Sequence, residues 1–136
     1  MKDAQDRLKL HVLDELYRHS SNVAHGVEVP PGARLLFTNG QVGTRPDGTT
    51  PESTAEQAEV VFSRVEAVLA AARMALSDIV RLTVFLTDPT EVSTFVKARD
   101  RVMGDHKPGA IILVVKGLAR PELKIEIEVI AAKVDS

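Results

Sequence analysis

The most apolar part of the chain is its last third, from His106 to Ala132. An uninterrupted apolar run, Ala110 to Val115, is followed by a turn containing Gly117 and Pro121 and then by a segment in which apolar and charged residues alternate. Two β-strands are predicted, and the first of them has no polar face. In the second strand, one face has Ile125, Ile127, Val129 and Ala131, and the other has Lys124, Glu126, Glu128 and Ile130.

Two amphipathic helices are predicted in the middle of the chain. The first begins at Ser53 or Thr54, where Glu56 or Gln57 is placed to complete a capping box. The second begins at Asp88-Pro89 or Thr90 and ends near Gly104. The apolar stripe of the first helix is Ala55, Ala58, Phe62, Val65, Leu69 and Ala72, and that of the second is Val92, Phe95, Val96, Arg99 and Val102.

The N-terminal half is predicted to consist of short extended segments. Residues 1–7 are polar and expected to be flexible. Leu8, Leu10 and Val12 alternate with polar residues, which favours a strand followed by one helical turn at Asp14 to Tyr17; a helix over Asp3 to Tyr17 is the alternative. Further along, the pattern predicts a loop at His19 to His25, strands at Gly26 to Val29, Arg34 to Gly40 and Ile79 to Thr87, and an exposed loop at Thr44 to Pro51.

The predicted order, β-β-α-β-α-β-β, describes one α+β domain over residues 1–136. In the strand Ile79 to Thr87, Val80, Leu82, Val84 and Leu86 are expected to share a face. Two helices can cover one face of a sheet of five or six strands. The strand Ala110 to Val115 needs cover on both faces. A second subunit is therefore expected to cover its other face, in a symmetric homo-oligomer.

Composition excludes several classes of function. The 136 residues include no cysteine, which excludes disulfides, thiolate metal sites and cysteine nucleophiles. A formal charge of −2 argues against a nucleic-acid partner, which would require a basic stripe. No apolar run has the length of a membrane span, and Met1 to Leu10 is charged rather than signal-like, so a cytoplasmic location is expected. The four histidines lack metal-ligand spacing.

Glu126 is the strongest candidate for chemistry, because it lies in the middle of a very apolar strand. A carboxylate there is either in a cleft, poised for general acid–base use, or on a solvated sheet face, and Glu128 on the same face favours the second interpretation. Asn39-Gly40 at a strand end could offer an amide and a backbone N–H to a ligand, or form a turn or bulge. His106 and Arg120 are expected to face water.

Five segments together resemble the Rid family (reactive intermediate deaminases, YjgF-type proteins). They are LLFTNGQVG from Leu35, TAEQAEVVFSRVEAVLAAA from Thr54, IVRLTVFLTDPTEV from Ile79, HKPGAIILVV from His106 and KIEIEVIAA from Lys124. The resemblance implies a chorismate-mutase-like α+β fold, in which three subunits form a barrel with ligand clefts at their boundaries. It also implies cofactor-free hydrolysis of enamines and imines, such as 2-aminoacrylate, to keto acids and ammonia.

The resemblance also implies which residues form the cleft. Glu126 matches the carboxylate that positions water, and Gly40 matches the glycine of a Ser-Gly pair whose serine is Asn39 here. Val23 stands at the position of a tyrosine, and Ala110 at that of the arginine that binds the substrate carboxylate. Ile112 lies two residues further on and is expected to contact substrate. The turn before Glu126 is about one residue longer than in well-known members.

The replaced arginine leaves three hypotheses open. Loss of such a buried charged partner costs about 2–5 kcal/mol. The protein could therefore hydrolyse an imine, enamine or related electrophile that lacks the usual carboxylate. It could instead be a non-catalytic trimer that binds a small molecule. It could also be a standard deaminase in which Arg34 or Arg120 supplies the missing cation.

Overall fold

The computed structural model describes residues 4–17 and 23–135, which form an α+β domain with two helices on one face of a five-stranded mixed sheet. The predicted fold class is confirmed. The strands are β1 (Lys9–His11), β2 (Gly26–Glu28), β3 (Arg34–Phe37), β4 (Gln41–Val42), β5 (Ile79–Leu86), β6 (Gly109–Val114) and β7 (Ile125–Lys133), and the helices are α1 (Thr54–Ala71) and α2 (Val92–Met103). The main sheet has the order β3-β7-β5-β6, with β4 also paired to β7, while β1 and β2 form a separate antiparallel pair.

Both helices begin close to the residues that the sequence indicated, and α2 ends at the predicted glycine. Ser53 Oγ accepts the Glu56 N–H at 3.1 Å, so the predicted N-cap is confirmed. The Glu56 carboxylate accepts the Ser53 hydroxyl at 3.2 Å rather than the Ser53 backbone N–H, so the second bond of the predicted capping box is replaced by a side-chain bond. A short 3-10 turn, Pro89–Glu91, precedes α2, and the Asp88 carboxylate accepts the N–H of Thr90. Gly104 follows α2 with a φ of +59°, a conformation that glycine adopts without strain.

The core lies between the helices and one face of the sheet. The alternation predicted for β7 is confirmed, because Ile125, Ile127, Val129 and Ala131 are all buried there. Phe62 and Phe95 stack with ring centroids 6.2 Å apart and join the two helices. The predicted stripe of α1 is partly wrong, since Ala55 is exposed. The buried residues of α1 are Thr54, Gln57, Ala58, Val61, Phe62, Val65 and Leu69.

Two β-bulges change the predicted strands. The predicted strand from Arg34 to Gly40 ends earlier, at Phe37, and β4 follows it on the same partner strand. The register shifts between β3 and β4, since four steps from Phe37 to Gln41 oppose three steps from Ile130 to Ile127 on β7. Thr38 interrupts the ladder there by bonding Val129 with both its N–H and its hydroxyl. A second register shift, between Ile79 and Arg81 of β5, places Ile79 rather than Val80 on the buried face.

The N-terminal segment has less regular structure than predicted. Neither a helix from Asp3 to Tyr17 nor a helical turn at Asp14 to Tyr17 is present in the described residues; a hydrogen-bonded turn occurs instead, closed by Leu16 N–H and Leu13 O. Residues 4–6 form a 3-10 turn. Of the loop predicted from His19 to His25, positions 19–22 lie outside the described residues.

The other face of the sheet is open and has several exposed apolar side chains. Leu35, Phe37, Ile111 and Leu113 project from it and are between 42% and 66% exposed. On the same strand as Ile111, Ala110 and Ile112 pack toward the core, so β6 has two apolar faces, of which the helices cover one. Within the described part of the chain, neither helix has the length and hydropathy needed to cross a bilayer.

Candidate functional site

Glu126 lies on the open face of the sheet, with its carboxylate directly against Gly40. A Cβ atom at Gly40 would lie 2.7 Å from Glu126 Cδ and 3.0 Å from Cγ, so a larger residue there would displace the Glu126 side chain from this conformation. The carboxylate is half-buried, and it makes no hydrogen bond or ion pair with any residue that the structure describes. A carboxylate in this position has free lone pairs with which to hold a water molecule or a ligand.

A hydrogen-bond network from α1 fixes the segment that contains Gly40. Arg64 donates through Nε to Gln41 Oε1 at 3.1 Å and through Nη1 to the carbonyls of Val42 and Thr44 at 3.4 and 3.0 Å. Gln41 in turn donates to the carbonyl of Asn39 at 3.1 Å. The bulge before β4 therefore has a defined conformation that holds Asn39 and Gly40 beside Glu126.

Gln57 fixes the two loops on either side of this network. Its side chain is fully buried and donates to the carbonyls of Pro51 and Glu122 at 2.8 and 2.9 Å. Its Oε1 accepts the N–H of Lys124 at 2.8 Å. One side chain thus joins the loop that follows β4 to the loop that precedes Glu126.

We expect Gln57→Leu to lower the free energy of unfolding by about 2–4 kcal/mol, because it leaves one buried and two half-buried backbone groups without their partner. Urea denaturation measures this loss directly. Gln5→Leu, on the exposed 3-10 turn near the N-terminus, is the control and should change stability little. A Gln57→Leu variant within about 1 kcal/mol of wild type would show that the network contributes little.

The remaining predicted site residues lie elsewhere, at the start of the edge strand β6. Val23 and Ala110 line a narrow crevice between the end of α2 and β6. The N–H of Ala24 bonds the carbonyl of Pro108 at 3.4 Å and ties this segment to β6. Ile112 lies two residues further along β6 on the same face as Ala110 and packs against the core.

The two groups of predicted residues face opposite sides of the sheet. Ala110 is opposite Leu82 on the face that the helices cover, whereas Glu126 is opposite Phe85 on the open face. Glu126 and Ala110 are also two strands apart, about 10 Å across the sheet, and three residues apart along the strands, about another 10 Å. A single chain therefore brings Asn39, Gly40 and Glu126 together, and separately Val23 and Ala110, but does not bring the two groups into one cleft.

The two cations predicted as substitutes for the missing arginine are both engaged. Arg34 bonds both carboxylate oxygens of Asp135 at 2.7 and 2.9 Å, and this hydrogen bonding holds the pKa of Asp135 below its usual range. It lies opposite Lys133, at the end of β7 remote from Glu126. Arg120 is half-exposed, donates to Thr44 Oγ1 at 3.1 Å and lies 3.3 Å from a Glu122 oxygen, beside the Gly40 segment.

The expectation that His106 faces water is wrong. Its ring is half-buried, and Nε2 lies 2.7 Å from the carbonyl of Ile79, so it links the segment before β6 to β5. Within residues 4–17 and 23–135, no group of three or more His, Asp or Glu side chains is arranged to hold a metal ion.

Arg99 is the residue near the site that the sequence interpretation missed. It belongs to the inner face of α2, is 4% exposed and lines the same crevice as Val23 and Ala110. Its Nε and Nη2 atoms both donate to Asp100 Oδ1, at 3.2 and 3.1 Å. The signal was present in the sequence, because an arginine within an apolar helical stripe indicates a buried cation.

The sequence matches a known protein family and is similar to curated proteins. The family model described as Endoribonuclease L-PSP matches residues 21–133. The 2-iminobutanoate/2-iminopropanoate deaminase of Escherichia coli is 31% identical over 103 residues, which are 73% of this chain and 80% of that protein.

Solved structures share the fold over nearly the whole chain. The Rid-family protein YyfB from Yersinia pestis superposes with a TM-score of 0.82 at 24% identity, covering 92% of this chain and 98% of that one. The YjgF gene product of E. coli superposes with a TM-score of 0.68 at 27% identity, covering 93% of each chain. The chain therefore belongs to the Rid (YjgF-type) family.

Proposed function

We propose that this protein hydrolyses an imine, an enamine or a related small electrophile, with Glu126 positioning the attacking water. The observation that supports the proposal is the Glu126 carboxylate itself, which rests against Gly40 with no described protein partner. A general base must be free to accept a proton from water. Similarity to a deaminase of 2-iminobutanoate and 2-iminopropanoate supports the same class of reaction.

The proposed reaction needs only proton transfer and water. An enamine first takes a proton on carbon and becomes the iminium ion, which is the protonated imine. The water oxygen then forms a bond to the iminium carbon while Glu126 accepts a proton from that water. The resulting carbinolamine takes this proton from Glu126 on its nitrogen, the C–N bond breaks, and ammonia leaves while the hydroxyl proton returns to Glu126 and the carbonyl forms. We expect Asn39 and the N–H of Gly40 to orient the substrate, because Gly40 lies against the carboxylate.

We place this reaction in a cleft between subunits of a homotrimer. Glu126 and the crevice at Ala110 face opposite sides of the sheet, so one site can include both only if they come from different chains. The open face also has exposed Leu35, Phe37, Ile111 and Leu113, an arrangement typical of an oligomer interface. A closed ring of three subunits would bury this face in every copy.

A non-catalytic binding protein is the second candidate function. Val23 and Ala110 make the crevice less polar than a tyrosine and an arginine would, and a substrate clamp at position 110 is absent. RNA is a poor candidate ligand despite the family description, because Glu126 and Glu128 on the open face would repel phosphates.

The deciding experiment measures carbonyl release from two substrates above their spontaneous hydrolysis. One is 2-aminoacrylate, followed by a coupled keto-acid assay, and the other is N-benzylidenemethylamine, an open-chain imine without a carboxylate whose hydrolysis releases benzaldehyde. Wild-type protein is expected to accelerate at least one. Ala110→Arg, assayed in parallel, should increase turnover of 2-aminoacrylate selectively. If wild type and Ala110→Arg are both inert on both substrates, while small molecules still raise the melting temperature of the wild-type protein, the second candidate function, a non-catalytic binding protein, is the correct one.

A further inference from the structure

The segment between β3 and β4 contains an asparagine followed by a glycine, Asn39-Gly40. We infer that Asn39 is a modification site, where the side-chain amide is lost spontaneously as ammonia, and that this deamidation disables the site at Glu126. The first part needs no assumption about activity. The second part rests on the proposed function, because it concerns the segment that would orient the substrate.

Deamidation is an attack on the asparagine side chain by the main-chain nitrogen of the next residue. The Gly40 nitrogen forms a bond to Asn39 Cγ and gives up its proton, the bond from Cγ to Nδ2 breaks, and Nδ2 leaves with that proton as ammonia. The cyclic imide then takes up one water molecule and opens. Opening between Cγ and the nitrogen leaves aspartate. Opening between the main-chain carbonyl carbon and the nitrogen leaves isoaspartate, in which the main chain passes through Cγ.

Both reacting groups are free of the interactions that would hold them. Asn39 is exposed, and its side chain makes no hydrogen bond or ion pair with any residue in the described parts of the chain. The N–H of Gly40 lies between the two strands and likewise bonds no described group. The carbonyl of Asn39 is held by the Gln41 side chain at 3.1 Å, but this oxygen does not take part in ring closure. A bulge leaves its residues outside the ladder, so neither strand restrains this pair.

A second pair of the same type, Asp47-Gly48, shows what restraint looks like. An aspartate can close the same ring onto the nitrogen of a following glycine. Asp47 Oδ1, however, accepts the N–H and the hydroxyl of Thr49 at 3.0 and 2.7 Å, and the Gly48 N–H donates to the carbonyl of Arg45 at 2.9 Å. The hydrogen bonds from Thr49 hold the pKa of Asp47 below its usual range, which keeps the carboxyl in its unreactive, ionised form. The structure therefore singles out Asn39.

The consequence arises at Gly40, which lies against the Glu126 carboxylate. Isoaspartate adds one main-chain carbon between positions 39 and 40, so Gly40 is displaced from this contact. Aspartate instead removes the two amide donors of Asn39 and places a negative charge one residue from the contact. Either product alters the segment that the proposed reaction uses. The proposed hydrolase would therefore lose activity as the protein ages.

Peptide mass spectrometry after prolonged incubation at mildly alkaline pH tests the modification itself. Tryptic digestion separates Asn39 from the other asparagine of the chain, Asn22, which is followed by Val23, whose branched side chain hinders ring closure. We expect aspartate and isoaspartate to accumulate at position 39, with Asn22 intact and no isoaspartate at Asp47. The variant Asn39→Ser has no amide to lose, and its peptide should keep its mass.

The rate in the folded protein decides whether this segment reacts in the native state. If ring closure required global unfolding, the native protein would react at least about 10³-fold more slowly than the chain unfolded in guanidinium chloride. We expect a smaller difference, because a segment outside the ladders opens locally at little cost. A slowing at or beyond that factor would overturn the inference, and so would an Asn39 that stays intact in both states.

Activity measurements on the same samples test the second part, with whichever imine the wild-type protein accelerates. Turnover should decline in proportion to the converted fraction, whereas Asn39→Ser should keep its own starting rate during the same incubation. A wild-type protein that keeps its full rate after conversion would overturn the link to Glu126. A protein that accelerates no imine from the outset would contradict the proposed function, and the mass measurement would still decide the modification.

Discussion

Glu126→Gln is expected to lower the rate of imine hydrolysis by about 10²–10⁴-fold, the contribution of a well-placed general base. Glutamine has nearly the same shape, so the contact with Gly40 is retained. It cannot take a proton from water at neutral pH. The measurement is the initial rate of carbonyl release above the spontaneous reaction, at saturating substrate, on whichever imine the wild-type protein accelerates.

Glu128→Gln is the matched control, because Glu128 lies on the same face of β7 two residues away and is exposed. It should retain the wild-type rate, and both variants should melt at the wild-type temperature. Equal rates for wild type and Glu126→Gln would remove Glu126 from the mechanism. A similar loss in both variants would point to the overall charge of this face instead.

The parts of the fold that follow from local periodicity could be predicted from the sequence. The alternation in β7 and the N-cap at Ser53 each depend on residues within one turn or one strand, and both are confirmed. The assignment of Glu126 to the face opposite the core follows from the same alternation. Its side chain is half-buried there, so its exposure is intermediate between the solvated sheet face and the enclosed cleft that the sequence left as alternatives.

The parts that depend on pairing between distant segments could not be predicted. The bulge that ends β3 exists because Thr38 forms hydrogen bonds with Val129 through both its backbone and its side chain, and the two residues are 91 positions apart in the sequence. The burial of Gln57 depends likewise on carbonyls supplied by two loops, at Pro51 and Glu122. Polar residues satisfied in this way look, in the sequence, like ordinary surface residues.

The division of the site between two faces also depends on tertiary structure. Glu126 and Ala110 were grouped by their resemblance to a family, and nothing in the spacing of the sequence indicated that their side chains point to opposite sides of the sheet. The parallel pairing of β5 with β6 and the antiparallel pairing of β5 with β7 determine this result. Whether a complete cleft forms therefore depends on how the subunits assemble.

Ile111→Asp is expected to dissociate the proposed trimer. Ile111 projects from the open face at 42% exposure, and a charge there would be buried without a partner in the assembly, at a cost of about 2–5 kcal/mol for each interface. Light scattering after size exclusion should give three times the 14.8-kDa chain mass for wild type and a single chain mass for the variant. Ala67→Asp, on the exposed side of α1, should remain trimeric. A monomeric wild type would contradict the assembly.

A shared site also predicts that two inactive variants restore activity when their subunits mix. Glu126→Gln loses the water-positioning carboxylate, and Ala110→Trp fills the crevice, so each homotrimer should be inactive. If each site takes Glu126 from one chain and the crevice from its neighbour, refolding an equal mixture should return about a quarter of wild-type activity. In mixed trimers both substitutions can fall in the same site, and another site then has Glu126 and Ala110 both unchanged. If both groups acted within one chain, every site would keep one fault, and mixing would restore nothing.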